Sequence, residues 1–237
     1  MKKACVLPAV LFLLSVSLFS QEGSSWELYG GYQFNRADVG RLQTFADALT
    51  NPFGFPRVDV NRNVNMRGVN FSLHRNSAGR LGAVIDISTS SGSQNIDLSR
   101  VMQALGYVPP GTSAISTFKP TLSTYSAGPQ FNFHRGEKVQ PFARIMAGVA
   151  YGSLQPDDNA NKALGFLAPS FVTSARSVAL LGGVGADYTL TTHFAIRVAA
   201  DYQRTYLYGE HQNSVRISAG IVIRKYGKLL GSNKRRR

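Results

Sequence analysis

The chain has little cysteine, few acidic residues and, after its first twenty positions, no long hydrophobic run. Its only cysteine, Cys5, lies in the apolar N-terminal segment, so the rest of the chain forms neither a disulfide nor a thiolate site. No run of about eighteen apolar residues follows that segment, which excludes a membrane-spanning helix there. The four histidines are far apart in sequence, and we predict no metal site from them.

Motifs of common enzyme classes are missing as well. There is no glycine-rich phosphate loop, no Gly-x-Ser-x-Gly elbow and no His-Glu-x-x-His pair. Gly182, Gly183 and Gly185 resemble a nucleotide loop only superficially, because no helix pattern follows them. We therefore predict no catalytic residue and no cofactor.

The N-terminal segment has the features of a secretory signal peptide. Lys2 and Lys3 precede an apolar stretch from Ala4 to Phe19, and Ser20 is a small residue at a plausible cleavage position. A membrane anchor is the alternative, but the stretch is rather short for one. We predict that residues 1–20 are removed and that the chain is exported.

The basic residues are unevenly distributed. The chain has a net charge of +13, but two lysines lie in the signal segment and seven further basic residues lie in the last fourteen positions, which leaves about +4 for the rest. An exported chain rarely meets nucleic acid, so we predict no nucleic-acid partner. We assign residues 227–237 to a basic C-terminal tail, which either attracts anionic lipid or cell-wall polymer or is a solvated end.

The remaining sequence alternates with a period of two residues, as β-strands do. In the segment from Trp26 to Phe34 the even positions carry Trp, Leu, Gly, Tyr and Phe, and the odd positions carry Glu, Tyr, Gly and Gln. One face of this strand is therefore apolar and the other is mixed and polar. Strands of roughly ten residues cross a bilayer when tilted. Seven further segments alternate in the same way, at 65–74, 81–88, 122–133, 141–152, 178–188, 194–205 and 214–224.

The connections between these strands alternate in length. Short turns are predicted at 75–80, 134–138 and 189–193, and longer segments at 36–63, 89–118, 155–175 and 206–213. Membrane barrels have this asymmetry, with short turns at one rim and long loops at the other. We predict an all-β fold, an eight-stranded antiparallel up-and-down transmembrane β-barrel over residues 21–226. A soluble secreted β-sandwich that binds a small molecule is the alternative.

Each face of the predicted strands has its own candidate residues. An eight-stranded barrel has a lumen about wide enough to be filled by side chains. We predict that ion pairs plug this lumen, with Asp187 and Arg197 paired across a short turn. The predicted lumen charges are Glu27, Asp86, Arg144, Asp187, Arg197, Asp201 and Arg216. On the apolar face, aromatic residues near strand ends are expected at the bilayer interfaces, namely Trp26, Tyr32, Phe34, Tyr151, Tyr188, Phe194 and Tyr202.

The last three strands resemble a known family. The segments GGVGADY (182–188), FAIRVAADYQ (194–203) and VRISAGIVIR (215–224) resemble the closing strands of small outer-membrane barrels of the OmpA and OmpX type. That resemblance implies a location in a Gram-negative-type outer membrane, with periplasmic termini and insertion by the barrel-insertion machinery. It also implies a role in adhesion or envelope integrity. Unlike such barrels, the chain continues past Tyr226 instead of ending on an aromatic residue.

The long connections contain the remaining functional candidates. Four apolar residues lie in the segment 36–63, and Leu98–Leu105 could form a short amphipathic helix in the segment 89–118. These residues either bind an extracellular ligand or pack on one another over the barrel mouth. The four residues are Phe45, Leu49, Phe53 and Phe55.

We expect a non-enzymatic outer-membrane protein with a structural or surface-interaction role, in contact with outer-membrane lipid. Two alternatives stay open besides the β-sandwich. One is a barrel-type lipid-modifying enzyme that uses His211 and Ser214. The other is a narrow ion pore, should the lumen charges leave a passage.

Overall fold

The computed structural model describes most of the predicted barrel. The described residues are 25–38, 43–44, 47, 54, 60–61, 63–76, 80–104, 106–133, 138–157, 174–207 and 211–226. The predicted signal peptide (1–20) and basic tail (227–237) lie outside them, as do the four apolar residues of the segment 36–63. No helix within these residues is long and apolar enough to cross a bilayer.

Nine strands and one short helix are described with both of their ends. In chain order they are β1 (Ser25–Asp38), β2 (Asn63–Asn76), β3 (Leu81–Ser91), β4 (Gln94–Asp97), α1 (Ser99–Ala104), β5 (Ile115–Asn132), β6 (Val139–Pro156), β7 (Ser174–Thr189), β8 (Phe194–Thr205) and β9 (Gln212–Tyr226).

Eight of these strands close into a barrel. Antiparallel neighbours follow one another along the chain, β9 pairs with β1, and β3 pairs with β5, so the ring has no open edge. The short β4 continues beyond β3 and pairs with β5 where β5 extends past the ring. The predicted eight-stranded barrel is thus confirmed, and β4 is an additional strand that the alternation did not predict.

The register fixes the tilt of the strands. The ladder pairs lead once around the ring through Ser25, Asn76, Gly82, Gln130, Arg144, Gly183, Asp201, Arg216 and Asn35. The path begins at Ser25 and returns to the same strand at Asn35, a stagger of ten residues. Eight strands with this stagger tilt by roughly 40° from the barrel axis, within the usual range for closed barrels.

The two ends of the barrel differ as predicted. At one end, the short-turn end, lie Ser25, Tyr226 and the connections at 77–80, 133–138 and 190–193. At the other, the long-loop end, lie the connections at 39–62, 92–114, 157–173 and 206–211. Several strands are longer than predicted: β5 and β6 have 18 residues each, because they continue beyond the ring at the long-loop end.

The apolar face of every barrel strand points outward. Leu28, Ile145, Val198 and Ile217, from four different strands, are between 51% and 72% exposed. In a β-sandwich these side chains would be hidden between two sheets. A closed ring that is apolar outside and polar inside is the arrangement of a membrane barrel, so the β-sandwich alternative is wrong.

Candidate functional site

The polar faces of the strands meet inside the barrel, where all seven predicted lumen charges are at most 6% exposed. They form two clusters with an eighth residue, Arg224, which is 3% exposed. The lower cluster, nearer the short-turn end, consists of Glu27, Asp187, Arg197 and Arg224. The upper cluster consists of Asp86, Arg144, Asp201 and Arg216.

In the lower cluster each arginine binds both carboxylates. Arg197 donates from Nε and Nη2 to the two oxygens of Asp187, at 2.6 and 2.7 Å, and from Nη2 to Glu27 at 3.0 Å. Arg224 donates to Glu27 at 3.1 Å and to Asp187 at 2.9 Å. These bonds join β1, β7, β8 and β9.

The Arg197 guanidinium also lies close to two aromatic rings. Its central carbon is 4.8 Å from the ring centre of Phe142 and 5.6 Å from that of Tyr29. Aromatic faces attract cations, most strongly where water is excluded. Arg197 Nη1 donates to His74 Nε2. Because arginine has no acceptor, this imidazole nitrogen must be the acceptor, so His74 is neutral in this geometry and adds no charge to the lower cluster.

The upper cluster crosses the lumen. Arg144 of β6 donates two parallel bonds to Asp201 of β8, at 2.8 and 2.7 Å. Arg216 of β9 bridges Asp201, at 3.0 Å, and Asp86 of β3, at 2.8 Å. Asn70 donates to the second oxygen of Asp86 at 2.8 Å. Bidentate arginine–carboxylate pairs are among the strongest hydrogen-bonded contacts in proteins. Here one such pair connects strands that are not neighbours in the sheet.

The two clusters balance in charge, with two arginines and two carboxylates each. Burying an ion without a partner is costly, and only direct ion pairs with further hydrogen bonds offset that cost. The sequence prediction missed two participants. The seven predicted lumen charges include neither Arg224 nor His74, although the parity of β9 and β2 points both side chains inward.

A cluster of buried apolar residues, the apolar plug, occupies the lumen toward the long-loop end. It includes Met146 and Leu181, which lie level with the upper cluster on β6 and β7. Seven other members lie toward the long-loop end of the barrel: Ala37, Val64, Met66, Leu122, Ala150, Ala179 and Leu207. Within the described residues the lumen therefore contains two buried ion-pair clusters and, toward the long-loop end, buried apolar side chains.

The predicted interface aromatics all lie on the outer surface, and each is between 37% and 55% exposed. Three lie near the short-turn end: Trp26, Tyr188 and Phe194. The other four lie in the halves of their strands toward the long-loop end: Tyr32, Phe34, Tyr151 and Tyr202. Cations accompany the first group, with Arg75 5.3 Å from the Trp26 ring and Lys138 5.3 Å from that of Tyr188.

The two residues of the proposed enzymatic pair lie in different surroundings. Ser214 points into the lumen from β9 and is 7% exposed, whereas His211 is exposed and its ring lies 4.8 Å from that of Tyr206. Within the described residues there is no group of acidic, histidine or cysteine side chains that could hold a metal ion.

The predicted helix in the second long connection is present as α1. Asp97 caps it by accepting hydrogen bonds from the backbone N–H and the hydroxyl of Ser99, at 2.9 and 2.5 Å. The Ser99 hydroxyl, more than its N–H, holds the pKa of Asp97 below its ordinary value. Leu98 and Met102 are buried, so this connection is a folded unit at the barrel mouth.

Comparison with known proteins shows a shared fold. No family model matches the chain, and no curated protein matches it by sequence. Among solved structures, Neisserial surface protein A is 14% identical, with a TM-score of 0.53 over 85% of this chain and 99% of that one. OprG, an outer membrane protein from Pseudomonas aeruginosa, is 13% identical, with a TM-score of 0.47 over 87% and 98%. The chain has the fold of the small eight-stranded outer-membrane barrels.

Proposed function

We propose that this chain, which has the fold of the small outer-membrane barrels, is an integral outer-membrane protein with a structural or surface-interaction role. Its closed barrel anchors the chain in lipid and carries the long connections on one side of the membrane. The proposal rests on an apolar outer surface combined with a lumen that contains eight buried charged side chains and the apolar plug. A barrel built in this way is better suited to presenting its long connections at the membrane surface than to passing a solute through its lumen.

The orientation belongs to the same proposal. Both ends of the described chain and the three short connections lie at one end of the barrel, which we place in the periplasm. The long connections, including those predicted as ligand-binding at 36–63 and 89–118, then face outward from the cell. Insertion would use the barrel-insertion machinery. An epitope placed in the connection at 157–173 should be labelled on intact cells, and an epitope after Tyr226 should not.

Fractionation tests the location. The protein should be recovered in the outer-membrane fraction, and its gel mobility should change on boiling, because a barrel closed by continuous hydrogen-bonded ladders resists detergent until heated. Recovery in the soluble periplasmic fraction would contradict the proposal.

Conductance separates a closed barrel from a pore. Purified protein in a planar bilayer should show no steady channel openings, because the two charged clusters and the apolar plug fill the lumen. Stable openings in the wild-type protein would favour the ion-pore alternative.

A strain lacking the protein distinguishes the two proposed roles. If the role is structural, sensitivity to detergent should be corrected both by wild type and by a variant whose connection 39–62 is shortened. If the role is surface interaction, the shortened variant should insert normally and fail to restore adhesion to host cells or matrix. A strain with neither defect would contradict both roles.

A further inference from the structure

A shallow groove of about 480 Å³ runs across the outer surface of β6 to β9. At its centre Gly182 of β7 pairs with Ile145 of β6 on one side and with Tyr202 of β8 on the other. A side chain at Gly182 would meet no atom within 4 Å of its Cβ, so the glycine leaves a gap in an otherwise continuous apolar surface. Ala200 and Val184 continue the groove toward the short-turn end. Its outward-facing lining is apolar except for the Tyr202 hydroxyl.

Two cations lie directly beyond this groove. Arg204 is the next outward residue after Tyr202 on β8, toward the long-loop end. Arg204 pairs with Asn213 of β9, and Val215, two residues along β9, pairs with Arg36 of β1. Arg204 and Asn213 thus lie side by side on the outer surface, and Arg36 lies on the next strand, one outward position nearer the short-turn end.

Arg204 is the better anchor of the two cations. No carboxylate lies on the outward face of β8 or β9, and none of the ion pairs between described residues involves Arg204. On β1, in contrast, Asp38 lies two residues beyond Arg36 on the same face. The outward strand positions are otherwise rich in cations at this end of the barrel, with Arg67 on β2 and Arg176 on β7.

We propose that this surface is a binding site for one anionic membrane lipid, with its phosphate on Arg204 and one acyl chain in the groove at Gly182. Successive outward residues of a strand are about 7 Å apart, so the guanidinium and the groove are separated by a distance that a headgroup and glycerol backbone span. The phosphate would accept charge-assisted hydrogen bonds from Arg204, with Asn213 and Arg36 beside it. Tyr202 is one of the aromatic residues predicted to lie at the bilayer interface.

This inference rests on the proposed membrane location, and the experiment separates the two. Detergent-purified protein is titrated with dimyristoylphosphatidylglycerol or dimyristoylphosphatidylcholine, and bound lipid is counted by native mass spectrometry. Wild type should bind one phosphatidylglycerol about tenfold more tightly than the zwitterionic lipid. Arg204→Gln should remove that preference, and Arg204→Lys should restore part of it.

Gly182→Leu tests the acyl groove, because it fills the gap without meeting a neighbouring atom at its Cβ. This variant should weaken the binding of both lipids several-fold and should keep the preference for phosphatidylglycerol over phosphatidylcholine. The matched controls are Arg67→Gln, which removes a rim cation away from the groove, and Ala83→Leu on β3, which enlarges a lipid-facing residue elsewhere. Both controls should bind lipid as wild type does.

Four further results would overturn the lipid site or the proposed function. Equal losses of the phosphatidylglycerol preference in Arg204→Gln and Arg67→Gln would show that the whole cationic rim attracts the lipid, and would overturn the site. Unchanged lipid binding by Gly182→Leu would also overturn it. Boiling-dependent gel mobility of every variant checks that the barrel is folded. If wild type inserts in the outer membrane but binds the two lipids alike, only this inference fails; if it does not insert, the proposed function fails.

Discussion

Asp187 and Arg197 face each other on β7 and β8 across the four-residue connection 190–193, and both carboxylate oxygens bind the same guanidinium. Their proximity follows from local sequence, because a short turn and a common parity bring them together. Their further contacts do not. Glu27, on the first strand of the barrel, reaches Arg197 only because β1 and β9 close the ring.

Replacing Arg197 with Leu should destabilise the barrel strongly. The lower cluster would keep Glu27 and Asp187 with only Arg224 between them, which leaves an uncompensated buried negative charge. Removing one partner of a buried ion pair costs about 3–5 kcal/mol. The midpoint of urea unfolding in detergent micelles, followed by gel mobility, measures the effect. The control Arg67→Leu changes an exposed arginine on the outer surface and should move the midpoint little; equal midpoints for both variants would show that the lower cluster is not stabilising.

The upper cluster allows a double-mutant test. Asp201→Asn leaves Arg144 and Arg216 with Asp86 as their only carboxylate, whereas adding Arg144→Met restores equal numbers of positive and negative charges. We expect the double variant to be more stable than Asp201→Asn alone. The interaction energy from the four unfolding curves should fall within about 0.5–3 kcal/mol. Additive losses would mean that Arg144 and Asp201 are not coupled in the folded barrel.

The period-two alternation of the sequence was enough to predict most of the fold. It assigned the outward and inward faces correctly on all eight barrel strands, because lipid on one side and a narrow polar lumen on the other impose one parity along a strand. It missed β4, since four residues are too few to show a period. It also underestimated β5 and β6, whose extensions past the ring are no longer held to one apolar face.

The partners of each buried charge were harder to predict than its burial. Arg216 and Asp86 are 130 positions apart and meet through the ten-residue stagger of the closed ring. Alternation predicts which way each side chain points but not how far neighbouring strands are staggered. Arg224 is a different case, because the parity of β9 already points its side chain inward, yet it is absent from the predicted lumen charges.

Gly148 should resist substitution although it lies in the middle of a strand. A Cβ at this inward position of β6 would come 1.9 Å from the carbonyl oxygen of Tyr125 on the neighbouring strand. Gly148→Ala should therefore force the two strands apart and cost about 1–3 kcal/mol or prevent folding. Gly182→Ala on β7, whose new Cβ meets open space, is the matched control. Its free energy of unfolding should lie within about 0.5 kcal/mol of that of wild type. A Gly148→Ala barrel as stable as this control would contradict the close packing of β5 on β6.

Trp26 offers a direct measure of how the barrel sits in lipid, because it is the only tryptophan of the chain. It is 43% exposed on the outer face of β1 at the short-turn end, with the Arg75 guanidinium 5.3 Å from its ring. In vesicles of brominated phospholipids its fluorescence should be quenched most by bromines close to the headgroup, where tryptophan and arginine both favour the interface. The control chain carries Trp26→Phe and Ile145→Trp, which moves the probe to the middle of β6, where Ile145 is 72% exposed. That chain should be quenched most by bromines near the acyl-chain ends. The same depth profile for both chains would contradict the assignment of the aromatic residues to the interface. Absence of quenching in both chains would contradict contact between the apolar outer surface and lipid.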